Sequence, residues 1–121
     1  MKSLKKFCKL FLKYEYINQW SPPEVWADQT GGGDFFEATS IDSYSFGVIL
    51  YELETGNVPF AEQDDEGIRN ILLEQKLRPL IPQSTDKNLS LLIRRCWQDN
   101  HLKRPDFRKI LKYLDTVQFA H

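Results

Sequence analysis

Asp42-Ser43-Tyr44-Ser45-Phe46-Gly47-Val48-Ile49-Leu50-Tyr51-Glu52-Leu53 is the stretch on which the fold turns. Seven of its 12 residues are large and apolar or aromatic: Tyr44, Phe46, Val48, Ile49, Leu50, Tyr51 and Leu53. At 3.6 residues per turn they go round the whole helix, and a helix apolar on all sides is a buried one. Asp42 stands where an N-cap belongs, and Thr55-Gly56-Asn57 is a stop signal. In a chain of 121 residues one buried helix must be the hub that other helices wrap.

The flanks supply those helices. Downstream, Asp64 or Asp65 can cap a helix to about Gln75 that shows Ile68, Ile71 and Leu72 on one face. Pro79 and Pro82 then break the chain. Leu89, Leu92, Ile93 and Cys96 repeat at i, i+3, i+4 and i+7, and a last helix starting at Pro105 or Asp106 presents Phe107, Ile110, Leu111, Leu114 and Val117. Upstream, Pro22-Pro23 fixes a turn, Val25-Trp26 opens a short helix, and residues 27–40 read as a loop carrying Gly31-Gly32-Gly33-Asp34. No strand pattern competes, so the expected fold is all-α, a helical bundle around one buried central helix.

Composition sets the class. Hydrophobic residues at 41% and charged residues at 27% read as soluble and globular rather than disordered. The net charge of −1 hides an asymmetry, because residues 2–13 hold Lys2, Lys5, Lys6, Lys9 and Lys13 and no acid. The remaining chain is mildly acidic, which argues against nucleic-acid binding. Residues 1–14 place Leu4, Phe7, Cys8, Phe11 and Tyr14 at near-helical spacing: an amphipathic helix that packs on neighbouring protein, or one that lies on an anionic membrane surface. No apolar run approaches the roughly 20 residues that cross a bilayer. Cys8 and Cys96 lack any disulfide or ligand spacing, and reduced thiols in a cytoplasmic protein fit them better.

In order, the chain carries Trp20-Ser21-Pro22-Pro23-Glu24, the central stretch, Gly56-Asn57-Val58-Pro59-Phe60, Leu77-Arg78-Pro79-Leu80-Ile81-Pro82, Cys96-Trp97-Gln98-Asp99 and Lys103-Arg104-Pro105-Asp106-Phe107. These strings resemble, in order and spacing, the second half of the large helical lobe (C-lobe) of a protein kinase. They match W-x-A-P-E, D-V-Y-S-F-G-V-x-L-x-E-L, G-x-x-P-F, L-R-P-x-I-P and C-W-x-x-D-P-x-x-R-P-x-F. Details such as Y-S-F-G and L-R-P-x-I-P are most similar to the tyrosine-kinase-like group, whose members mostly phosphorylate serine and threonine. The resemblance divides the chain into an unmatched basic segment at 1–17, a partial kinase-like domain at 18–117 and a tail at 118–121. Pro22 stands for the usual alanine, Asn100 for a proline, which loosens that turn, and Asp106 for a serine or threonine that can still cap.

The resemblance also implies a buried ion pair between Glu24 and Arg104. On spacing alone these are two solvated charges; held against a bundle, a carboxylate needs such a partner, since an unpaired buried charge is very costly. The family's match to Asp42 takes hydrogen bonds from a catalytic loop that this sequence lacks. Trp97 reads as a core or helix-junction aromatic. Phosphoryl transfer needs a phosphate cover, a strand lysine, a catalytic acid and magnesium ligands. The chain has no H-R-D and no D-F-G; Asp34-Phe35-Phe36 has the wrong third residue and the wrong place, and Gly31-Gly32-Gly33 lacks phosphate-loop spacing. His101 and His121 have no ligand cluster.

The expectation is therefore a chain with no catalytic, cofactor-binding or metal site of its own, ATP and magnesium being implied for an intact parent kinase alone. Its partners would be proteins, or the protein substrate of that parent. The rival is a non-catalytic, pseudokinase-like interaction or scaffold module, whose helix at 64–75, with Asp64, Asp65, Glu66 and Glu74 outside, would present an acidic docking face. Apolar surface left uncovered on the central helix would make the chain prone to associate.

Overall fold

The computed structural model describes residues 18–28 and 38–119. The expected N-terminal helix at 1–14 with Cys8, the Gly31–Asp34 loop, Asp34-Phe35-Phe36 and His121 lie outside the described residues. The described residues are helical, with no strand among them.

The chain enters through Pro22, whose extended backbone hands over to a short helix α1, Pro23–Ala27. Proline at the first helical position has no N–H to leave unsatisfied, and its ring already holds the helical φ. The central helix α2 spans Ala38–Thr55. Gly56, at φ 72°, ends it in the left-handed region glycine tolerates, with its N–H on Glu52 O at 2.7 Å. Helix α3, Asp65–Arg69, starts where Asp64 Oδ1 accepts Gly67 N–H at 2.7 Å, and it widens into a π-helical turn over Asn70–Glu74. Helix α4, Lys87–Cys96, is capped by Asp86, which accepts Asn88 and Leu89 N–H. A 3₁₀ turn at His101–Lys103 leads to α5, Phe107–Thr116, capped by Asp106 on Lys109 N–H. Asn100, expected to loosen its turn, instead accepts Leu102 N–H at 3.0 Å and caps the 3₁₀ turn.

Three apolar clusters hold these elements. Tyr44, Val48 and Tyr51 of α2 meet Ile93 of α4, Trp97 and Ile81. Trp26 of α1 packs with Ile68 and Leu72. Leu92 and Cys96 of α4 close over Ile110 of α5, with Phe46, Leu50 and Tyr113 at the edge. Gly47 lets α2 and α4 approach: a Cβ there would lie 2.6 Å from Cys96 Cβ and 3.3 Å from Ile93 O.

Two expectations are corrected. Asp42 is not the N-cap of α2, because the helix already includes Ala38-Thr39-Ser40-Ile41, so Asp42 lies inside it and residues 38–40 are not loop. Burial of α2 is also one-sided. Ser40, Ser43, Tyr44, Gly47, Val48 and Tyr51 form the buried stripe, whereas Ile49 is 43% and Leu53 77% exposed. Among the described residues the hub packs chiefly on α4, and Ile49 and Leu53 lie away from that contact. Helix α5 is similar: Ile110 is buried, while Phe107, Leu111 and Leu114 of the same apolar face remain exposed.

Candidate functional site

The densest polar constellation lies where the proline turn, the N-terminal half of α2 and the loop after α4 converge, and Arg104 is its centre. The Arg104 side chain is fully buried and that of Glu24 24% exposed. Arg104 Nη1 donates to Glu24 Oε2 at 2.6 Å and Nη2 to Glu24 Oε1 at 2.8 Å. This is the two-pronged geometry in which a planar guanidinium meets a carboxylate. Arg104 Nε donates to Gln98 O at 2.8 Å, Nη1 also reaches Ser40 O at 3.4 Å, and Nη2 reaches Asp99 O at 3.4 Å. The guanidinium thus has an acceptor for each of its donors, which a buried cation needs.

Sequence puts these groups in place. Residues Pro22 and Pro23 aim Glu24 inward from the first turn of α1. Residue Pro105 follows Arg104, whose own backbone is extended (φ −70°, ψ 138°), as the residue before a proline prefers. Serines on α2 stitch the loop to the bundle: Ser40 Oγ donates to His101 O at 2.8 Å and Ser43 Oγ to Pro105 O at 2.7 Å. The proline turn is tied down as well, through Trp20 Nε1 to Glu52 Oε1 at 3.0 Å and Ser45 Oγ to Trp20 O at 2.9 Å.

Beneath lies Tyr44. Its ring centroid is 5.0 Å from the Arg104 guanidinium carbon and 5.5 Å from that of Arg78. Burial pushes its phenol up to about 12, against the opposing pull of both arginines. Arg78 Nε donates to Trp97 O at 2.8 Å and its Nη2 reaches Asp99 Oδ1 at 3.5 Å. Trp97 sits at the C-terminal end of α4, buried, with its ring 5.8 Å from Tyr51. Asp42 is exposed and joins none of these contacts; partial burial raises its carboxyl above the usual range. The sequence reading missed Tyr44, Arg78, Ser40 and Gln98 as members of this cluster. A basic residue in Leu77-Arg78-Pro79 was the available signal for Arg78.

Chemically the constellation holds structure. The Arg104 donors are all committed, and burial pushes the Cys96 thiol up to about 12, away from the reactive thiolate. Among the described residues no group of three His, Cys, Asp or Glu side chains stands close enough to hold a metal ion. The recess along α3, about 580 Å³, is lined by Asp64, Glu66 and Glu74 as well as Arg69. Those carboxylates would repel a polyphosphate. No helix among them is long and apolar enough to cross a membrane.

Comparison with known proteins places this arrangement. The family model for protein tyrosine and serine/threonine kinases matches residues 12–114. A probable serine/threonine-protein kinase of Dictyostelium discoideum is 38% identical over 98 residues, covering 81% of this chain and 10% of that protein. The serine/threonine/tyrosine-protein kinase HT1 of Arabidopsis thaliana is 34% identical over 97 residues, 80% of this chain and 23% of that protein. Mitogen-activated protein kinase kinase kinase 12 of Rattus norvegicus is 33% identical over 98 residues, 81% of this chain and 10% of that protein. The chain spans less than a quarter of the length of each of these relatives.

Proposed function

The chain belongs to the protein tyrosine and serine/threonine kinase family, as a helical fragment of the C-lobe, and we propose that it serves as scaffold and docking surface without itself transferring phosphate. The observation that carries this reading is the division of labour in its polar groups. The one fully buried cation among the described residues, Arg104, is spent on Glu24 and backbone carbonyls, holding the proline turn against the bundle. Among the described residues no three His, Cys, Asp or Glu side chains stand together as a metal-ligand set would, which supports this reading. ATP and magnesium belong, on this reading, to an intact parent kinase acting on protein hydroxyl groups, and the chain alone binds neither as a cofactor. Its partners are proteins and its compartment the cytoplasm.

The test is direct. The purified chain is incubated with radiolabelled ATP, magnesium and a generic protein substrate. Label transfer at the level of a buffer control is expected; turnover well above it refutes the proposal.

A second reading, a stand-alone interaction module of pseudokinase type, draws on the acidic recess of Asp64, Glu66 and Glu74. The coding sequence upstream of Met1 separates the two readings. In-frame H-R-D and D-F-G support the kinase parent, and their absence supports the module.

A further inference from the structure

Between α4 and α5, beside the 3₁₀ turn, lies a groove of about 290 Å³ that the kinase reading leaves without a role. Its floor is apolar, made by Leu92 and Ile110, and Tyr113 forms one wall. Arg95, Lys103 and Lys109 line the same groove, and no carboxylate does. All three cations are exposed, and none has an ion-pair partner among the described residues. The fourth cation there, Arg104, is already committed to Glu24 and to backbone carbonyls.

The local sequence is strongly biased. Residues 94–112 contain seven Lys or Arg and two Asp, in a chain whose net charge is −1. Both acids are occupied: Asp99 pairs with Arg78, and Asp106 caps α5 on Lys109 N–H. The cations are carried on a braced frame. Gln98 Nε2 donates to Arg95 O at 3.0 Å and Lys103 O at 3.1 Å, which ties the end of α4 to the 3₁₀ turn. The Arg95 guanidinium lies 5.9 Å from the Tyr113 ring. At the rim Leu102 is 75% exposed, an apolar contact offered to whatever occupies the groove.

We propose that this groove binds a phosphorylated side chain of a protein partner, with the phosphate among Arg95, Lys103 and Lys109 and a neighbouring apolar residue of the partner on Leu102. Charge selects the occupant. A phosphoester carries about two negative charges and three acceptor oxygens, matching three uncompensated cations better than one carboxylate does. Shape selects it too. At the lower end of the range for ligand pockets, about 300 Å³, the groove admits one side chain into its apolar floor and not a helix. A lipid surface would meet the rim without filling that floor.

The experiment uses the full 121-residue chain and a fluorescent peptide with one central phosphotyrosine flanked by leucines, beside its unphosphorylated form. Fluorescence anisotropy is expected to show the phosphorylated peptide binding at least about tenfold tighter, with affinity falling as salt rises. The Lys103→Gln/Lys109→Gln chain is expected to lose about tenfold in affinity with an unchanged melting temperature. Lys76→Gln/Lys87→Gln, the same charge change away from the groove, is expected to stay within about twofold. Amide shift changes on titration should centre on residues 92–113. Equal binding of the two peptides, an equal loss in the control pair, or association with phosphatidylserine-containing vesicles that is tighter than with the phosphopeptide and that the Lys103→Gln/Lys109→Gln change abolishes would each overturn the proposal.

Discussion

Substituting Gly47→Ala tests the packing of α2 on α4 through the sign of its effect. In the middle of an exposed helix this change stabilises, by about 0.5–1 kcal/mol, because alanine loses less backbone entropy than glycine. Here the added methyl would sit 2.6 Å from Cys96 Cβ and 3.3 Å from Ile93 O. Carbon atoms pack at about 3.5–4.0 Å, so the two helices must part by roughly 1 Å at this point. Moving them disturbs Tyr44, Val48, Tyr51, Ile93 and Trp97 together. Overpacking of this kind costs about 1–3 kcal/mol. Set against the propensity gain, the net is a loss of about 1–2 kcal/mol, or about 4–16 °C in melting temperature for a domain of this size. Urea unfolding followed by circular dichroism measures it. Adding Cys96→Gly removes the nearer obstacle, so the double variant should recover part of the cost relative to Cys96→Gly alone. A Gly47→Ala chain more stable than the parent would refute the close approach of α2 and α4.

Three further outcomes follow from the same packing. Tyr44 is held in its neutral form up to about 12, so its contribution to stability is intact below pH 10 and is lost as pH rises through 12; the urea midpoint of Tyr44→Phe should fall less steeply across that window than the parent's. Replacing the exposed Ile49 and Leu53 with lysine should leave the unfolding midpoint within about 0.5 kcal/mol while reducing self-association in sedimentation velocity; a loss of several kcal/mol would mean that this face is covered. Lys76 closes the π-helical turn at φ 53°, so Lys76→Gly should stabilise the chain by up to about 1 kcal/mol in thermal melts, and destabilisation would show that the backbone there is unstrained.

Much of the bundle could be read from residue order. The 3.6-residue period of Leu89, Leu92, Ile93 and Cys96 marks α4, and the acids at 64 and 106 cap α3 and α5 because their short carboxylates reach the first free N–H groups. Asp42 looked the same and was not a cap. Ala38-Thr39-Ser40-Ile41 contains no breaker, and Ser40 there gains a bond to the loop after α4 that favours helix. Apolar residues all round α2 reported what the helix can bury, while Leu53 shows that coverage depends on which neighbours exist.

The site was legible in part for a different reason. Glu24 and Arg104 are 80 residues apart, and only a family pattern can pair such residues in advance. Tyr44 and Arg78 join them through tertiary packing that leaves no local periodicity. The groove of Arg95, Lys103 and Lys109 is likewise assembled by three elements, and in sequence its cations are indistinguishable from a solvated face.

The account rests most heavily on the Glu24–Arg104 pair, and a double-mutant cycle in urea measures it most directly. Glu24→Gln should cost about 3–5 kcal/mol, since it leaves a fully buried guanidinium uncompensated; Arg104→Met strands a half-buried carboxylate and empties the bonds to the loop, and together they should cost clearly less than their sum. Single costs below about 1 kcal/mol that simply add would show two solvated charges, and the proline turn would then be held to the bundle by something else.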